Sequence, residues 1–313
     1  MKRNGRTVLR GIAATALIGV LGVTATACGD DSADSSGGAA PQTGLTAALR
    51  TAPAADAGTT LSYWDVKAAR DLVAKDKELY GGLDGYGIPE LAQSRHESVP
   101  LRQSHGFDEK DVVTALQIGS DRWRLAGRFD PDAMAGALKK LGYTEGTTDG
   151  GKLLTSKEAG QVAVSPTVRS TSVSPDAPPP AFAAPGKSVA DDPAYQAVAR
   201  CVGDDAYLAT FFGKGNESQT RDVTLYAIGA RAQADGSSRE RLCALTVDPA
   251  AARRTADRFN AVTVPGERFA GATVDTGDGD APLVTMEWAN GPKLRPGDQL
   301  RTLQLPKLLQ AER

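Results

Sequence analysis

Residues 1–27 carry four basic side chains, Lys2, Arg3, Arg6 and Arg10, and no acidic one, and the chain then runs uncharged from Gly11 to Ala27. A positive stretch followed by an apolar one is the pattern of a secretory signal peptide. At 17 residues, diluted by Gly and Thr, the run lies at the lower limit for spanning a bilayer. This segment constrains the fold more than length does. It removes 27 residues from the folding problem and points the remainder to an oxidising compartment. The full 313 residues allow one large domain or two ordinary ones, and 41% hydrophobic content is enough to bury a core. A net charge of −2 and a pI near 5.8 give no nucleic-acid signal. Without the four N-terminal cations the net charge becomes −6, so the body has no electrostatic reason to lie on anionic lipid.

The run ends at Ala25-Thr26-Ala27-Cys28. These residues resemble a bacterial lipobox, with Ala25 where the box usually has Leu. The resemblance implies lipidation of the Cys28 thiol, cleavage before Cys28, and a membrane partner reached through that anchor on the outer face of the cytoplasmic membrane. Two acyl chains, such as those of a diacylglycerol, anchor stably where one does not. Ordinary cleavage after Ala27, which the small-x-small triplet also fits, and an uncleaved anchor are the alternatives.

Beyond the signal (1–27), residues 28–57 are rich in Ala, Gly, Ser and Asp and read as a flexible tether. Within them, Leu45–Leu49 has the makings of a short helix. A first α+β half is expected over 58–158, a strand and Pro-rich linker over 159–192, a second half over 193–300, and a tail over 301–313. Thr60–Val66 has strand composition, and Lys67–Tyr80 places Ala68, Leu72, Val73 and Leu79 at helical spacing. Gly81–His105 is irregular. Strands are expected at Asp111–Ile118 and Arg122–Phe129 around a Gly119-Ser120-Asp121 turn. Asp130-Pro131 opens a helix, Asp as N-cap and Pro at the first position, and Gly142 closes it. Lys152–Ser156 is a further strand. This order reads as a ferredoxin-like βαββαβ unit. In the second half we expect a helix from Pro193 to about Cys201 and strands at Ala206–Phe212, Asp222–Ala232 and Arg239–Val247. A helix from Asp248-Pro249 to Phe259 and a strand at Pro282–Trp288 complete it.

The segment from Arg124 to Asp130-Pro131 resembles that from Arg241 to Asp248-Pro249. Each runs from a strand into an Asp-Pro helix start and on to a Gly-rich turn and a strand. Duplication explains this, and so does capping chemistry alone. Either way the fold class is α+β, antiparallel sheet with packed helices in two related halves.

Cys201 and Cys243 are the cysteines left to the folded body. An exported pair usually bonds, so we read a structural disulfide joining a helix end to a strand. Buried free thiols and a redox pair are the alternatives, and a redox pair normally has Cys-x-x-Cys spacing. His96 and His105 lie in the irregular stretch and read as solvated loop histidines, without the fixed spacing of a metal or catalytic motif. Gly213-Lys214-Gly215-Asn216-Glu217-Ser218 lacks the Lys-Ser/Thr end of a phosphate loop and reads as a hairpin turn. Asp275 to Asp280 has the acidic density of a calcium loop but no Glu at the twelfth position, and reads as an acidic turn. Trp64, Trp123 and Trp288 fall in expected strands and read as core or sheet-face residues. No catalytic, cofactor or metal residue is assigned.

The Ala-rich, Arg-over-Lys chain with its Cys28-Gly29-Asp30 start resembles uncharacterised secreted lipoproteins of streptomycete-like actinobacteria. Thr60-Leu61-Ser62-Tyr63, Phe129-Asp130-Pro131 with Leu141-Gly142-Tyr143, and Ser188 to Tyr195 are similar to an actinobacterial envelope family with doubled α+β halves. Neither resemblance implies an activity. The expectation is a non-enzymatic, lipid-anchored envelope protein that binds a protein or cell-wall partner. A solute-binding lipoprotein of a transporter is the alternative, and an extracellular hydrolase a weaker one.

Overall fold

A computed structural model describes residues 44–94, 100–184, 186–213, 221–302 and 309. Residues 1–27, expected to be a signal peptide, and Cys28, His96, residues 214–218 and much of the C-terminal tail lie outside these described residues. The strands are β1 (Thr60–Asp65), β2 (Val112–Ile118), β3 (Arg122–Gly127), β4 (Thr144–Thr148), β5 (Gly151–Ser156) and β6 (Gly160–Val164). They continue with β7 (Val168–Ser172), β8 (Leu208–Phe212), β9 (Val223–Ala232), β10 (Ser238–Thr246), β11 (Thr273–Thr276) and β12 (Leu283–Ala289). The helices are α1 (Leu45–Leu49), α2 (Val66–Lys75), α3 (Lys77–Tyr80), α4 (Pro89–Ser94) and α5 (Leu101–His105). After these come α6 (Pro131–Lys140), α7 (Pro193–Val202), α8 (Pro249–Ala261) and α9 (Asp298–Thr302).

All twelve strands join one antiparallel sheet, ordered β11-β12-β10-β9-β8-β1-β2-β3-β7-β6-β5-β4. The α+β class therefore holds. The ferredoxin-like pairing does not: β1, β2 and β3 pair in chain order as an antiparallel meander, whereas the split unit places its third strand between the first two. β2 bonds directly to β1, from Leu61 opposite Ile118 to Asp65 opposite Thr114, so the hairpin can place β3 only on the outer edge of β2.

With the β6–β7 hairpin set aside, the strand order is a palindrome. Reading outward from the centre, β1-β2-β3-β5-β4 mirrors β8-β9-β10-β12-β11, and α6 and α8 each follow the third strand of their set. The seam is the antiparallel pair β1–β8, centred on Ser62 opposite Thr210, whose hydroxyls are 3.0 Å apart. The hairpin lies between β3 and β5, so residues 160–172 complete the first half's sheet and are not part of a linker.

Side-chain alternation gives the sheet two apolar faces. One carries a cluster that runs across the seam: Leu61, Tyr63 and Leu116 from the first half, and Ala209, Phe211 and Leu225 from the second. Leu45 and Leu49 of α1 and Val198 of α7 cover it. Leu45 and Ala52 are fully buried, so the body begins by residue 44 and the expected tether over 28–57 is too long. The other face carries two clusters, one under α2–α6 with Trp64 and Leu125, one under α8 with Tyr226 and Phe259.

Asp130, Asp192 and Asp248 cap α6, α7 and α8, each accepting from backbone N–H groups of the first turn, and each is followed by Pro. Because α7 also starts at Asp-Pro, that pair alone marks a helix start; the likeness of the halves rests on the mirrored strand order and the matching places of α6 and α8. Cys201 at the end of α7 is bonded to Cys243 on β10, with Cα atoms 6.2 Å apart. Closing a loop of 42 residues in the unfolded chain is worth roughly 4 kcal/mol in the chain-entropy treatment.

Candidate functional site

The Lys67–Tyr80 helix is two, because Asp76 leaves the helical conformation to cap α3. The stretch read as irregular, 81–105, contains α4 and α5, and these carry the residues of a cavity. Pro89 sets the first turn of α4 and places Glu90 inward. At the end of α5, Gly106 adopts φ 78°, and a Cβ there would lie 2.6 Å from Met134 Cα. Only glycine lets α5 close against α6 this tightly, and the approach places His105 and Phe107 beside the sheet.

The cavity measures about 370 Å³. Trp123, Leu138, Val162 and Tyr143 supply its walls, and Leu141 and Val173, 53% and 45% exposed, belong to its open side. Arg169 and Glu90 also line it, and form an ion pair almost out of water, with side chains 1% and 9% exposed. Arg169 Nη2 meets Glu90 Oε1, Nη1 donates to Thr171 Oγ1 at 2.8 Å, and the guanidinium carbon lies 5.2 Å from the centre of the Phe107 ring. A buried pair of this kind gains attraction in a low dielectric, but it holds only when its remaining polar atoms are also satisfied. Here two are not: Arg169 Nε and Glu90 Oε2 are buried and have no hydrogen-bond partner among the described residues.

His105, expected to be a solvated loop residue, is half-buried and lines this cavity, its Nδ1 2.9 Å from Ser104 Oγ. Trp123 is likewise a wall of the cavity, while Trp64 and Trp288 are core. The acidic stretch from Asp275 is the end of β11 and the turn into β12; Asp275 Oδ1 accepts from Thr276 N–H. Among the described residues no group of three or more His, Cys, Asp or Glu side chains is placed to hold a metal ion. Sequence reasoning missed Arg169 and Glu90. They are 79 positions apart by number, on segments read as a strand with its linker and as an irregular loop. Arg169 falls just past the strand expected over 161–168, where a single charge carries no pattern.

The second half buries a different carboxylate. Glu240 on β10 is fully buried, with Oε2 accepting from Trp288 Nε1 at 3.1 Å and Asn290 Nδ2 at 3.0 Å, and Oε1 from Gly297 N–H at 2.7 Å. Desolvation outweighs these three donors and pushes its pKa from 4.5 up to about 7. This carboxylate fastens the segment after β12 to the sheet.

No family model matches this sequence, and no curated protein matches it either. A solved structure of TP0453, in its crystal form I, is similar in chain path, at 12% identity and a TM-score of 0.44. The match covers 80% of this chain and 97% of that one. A likeness of that degree says nothing about function. No helix among the described residues is long and apolar enough to cross a membrane.

Proposed function

We propose that the chain is a lipid-anchored extracytoplasmic binding protein, not an enzyme, and that the cavity over Arg169 and Glu90 receives its ligand. Cys28 and the residues before it supply the anchor in this reading. The observation that carries the binding function is an ion pair that leaves one donor, Arg169 Nε, and one acceptor, Glu90 Oε2, unfilled. Burying two such groups costs about 1–3 kcal/mol each. A group that accepts and donates through neighbouring atoms satisfies both, and a primary amide does so without adding charge. The apolar walls suit a short hydrocarbon body, and about 370 Å³ lies within the range of small-molecule sites. Among the described residues no serine or cysteine lines the cavity.

Calorimetric titration of the purified protein with pentanamide tests the site. Saturable binding is expected, and Val173→Trp, which sets an indole across the open side, abolishes it. Absence of saturable heat in the wild type sinks the assignment. Mass spectrometry of the mature protein from membranes tests the anchor: a diacylglyceryl group on Cys28 is expected, and an unmodified N-terminus contradicts it.

A further inference from the structure

Arg124 lies on β3 with its side chain on the sheet face opposite the Arg169 cavity, since β3 alternates Arg124 and Ala126 on one side with Trp123 and Leu125 on the other. It is 9% exposed. The other arginines of the sheet, Arg122, Arg169, Arg231, Arg239 and Arg241, all have a carboxylate within salt-bridge distance. Arg124 has none among the described residues. Its guanidinium donates instead to two backbone carbonyls, Nη1 to Ala181 at 3.2 Å and Nη2 to Phe182 at 2.9 Å. Both belong to the Pro-rich segment, which therefore crosses the sheet as a docked strap and not as a free linker.

Carbonyl dipoles offset part of the cost of a buried cation but not its charge. Burial pulls the pKa of Arg124 down to about 10, which still leaves it protonated at neutral pH. Beside it is a cavity of about 280 Å³ between α1, β2, β3 and the strap. Thr114, opposite Ala126 in the sheet, and Thr167 bring hydroxyls to it, while Ala48, Leu116, Val168 and Phe182 are apolar. A guanidinium has five N–H donors, so two carbonyls leave others for a ligand.

We propose that this cavity binds a small organic carboxylate, its two oxygens on Arg124 and the threonine hydroxyls and its hydrocarbon part against Leu116 and Phe182. The carboxylate is the counter-charge that every other arginine of the sheet has within the protein. The site is separate from the Arg169 cavity, on the other face, and does not depend on it.

Thermal unfolding of the purified full-length protein with sodium butyrate is the test. The melting temperature should rise saturably, and Arg124→Gln should weaken apparent binding at least tenfold. Thr114→Val, which leaves Arg124 and the strap in place, should weaken it about threefold, the scale of one neutral hydrogen bond. Val173→Trp should leave butyrate binding unchanged while removing pentanamide binding, so the two sites fail or stand separately. If Arg124 only staples the strap, Arg124→Gln loosens residues 181–184 in hydrogen exchange while the wild type shows no saturable response to butyrate. That result overturns the proposal. Inorganic phosphate displacing butyrate with equal affinity overturns the carboxylate assignment.

Discussion

Glu240 shows how a single buried group makes stability depend on pH. Its folded-state pKa, about 7, lies above its ordinary 4.5, so its protonated form is the one the fold favours. Its contribution is therefore complete below about pH 4.5 and is lost as pH rises through 7, a swing of roughly 3 kcal/mol. Unfolding free energies of the wild type and Glu240→Gln, measured from pH 4.5 to 8, should show the wild type losing that amount relative to the variant as pH rises. Parallel curves would show that the carboxylate does not titrate there. Three hydrogen bonds to the same group hold Trp288, Asn290 and Gly297 in place, so the variant is also expected to be less stable than the wild type at the acidic end.

At the scale of elements, the contact of α7 with β9 rests on an absent side chain. A Cβ on Gly229 would lie 2.3 Å from Val202 Cγ1, inside any allowed contact. Gly229→Ala should cost about 1–3 kcal/mol in urea unfolding, as overpacking does. Adding Val202→Ala should recover part of that loss; an additive pair of costs would mean the helix is not seated by this contact. Elements with strong local chemistry were legible in the sequence: β1, the β2–β3 hairpin, and the helices begun by Asp130-Pro131 and Asp248-Pro249. So was the Cys201–Cys243 bridge, which needed only an oxidising compartment and an even pair. Weakly patterned elements were not. β4 is almost wholly exposed and has no apolar side to betray it, and α4 and α5 are too short for a helical period. The candidate site escaped for a different reason. Arg169 and Glu90 meet only because the β6–β7 hairpin lies beside the α4–α5 segment, a long-range outcome that neither stretch encodes alone.

At the scale of the whole molecule, one sheet and two apolar clusters cross the seam, one on each face, so the halves are mutually dependent. Amides of β1, β8 and β9 are predicted to exchange with solvent most slowly and at a common rate, set by global unfolding. Hydrogen exchange read by mass spectrometry checks this; markedly different rates on the two sides of the seam would mean that the halves open separately.

The seam also sets a timetable. Ser62 and Thr210, paired at its centre, are 148 positions apart, so a chain emerging N-terminus first makes β1 long before β8 exists. During that interval one edge of β1, with Tyr63 and Trp64 in it, has no strand to bond to. Such a bare edge templates pairing with another chain, and closing so long a loop is slow. The second half therefore acts as a late-arriving guard for the first. A truncation that removes β8 does more than shorten the sheet: it leaves the most adhesive edge of the molecule permanently unprotected.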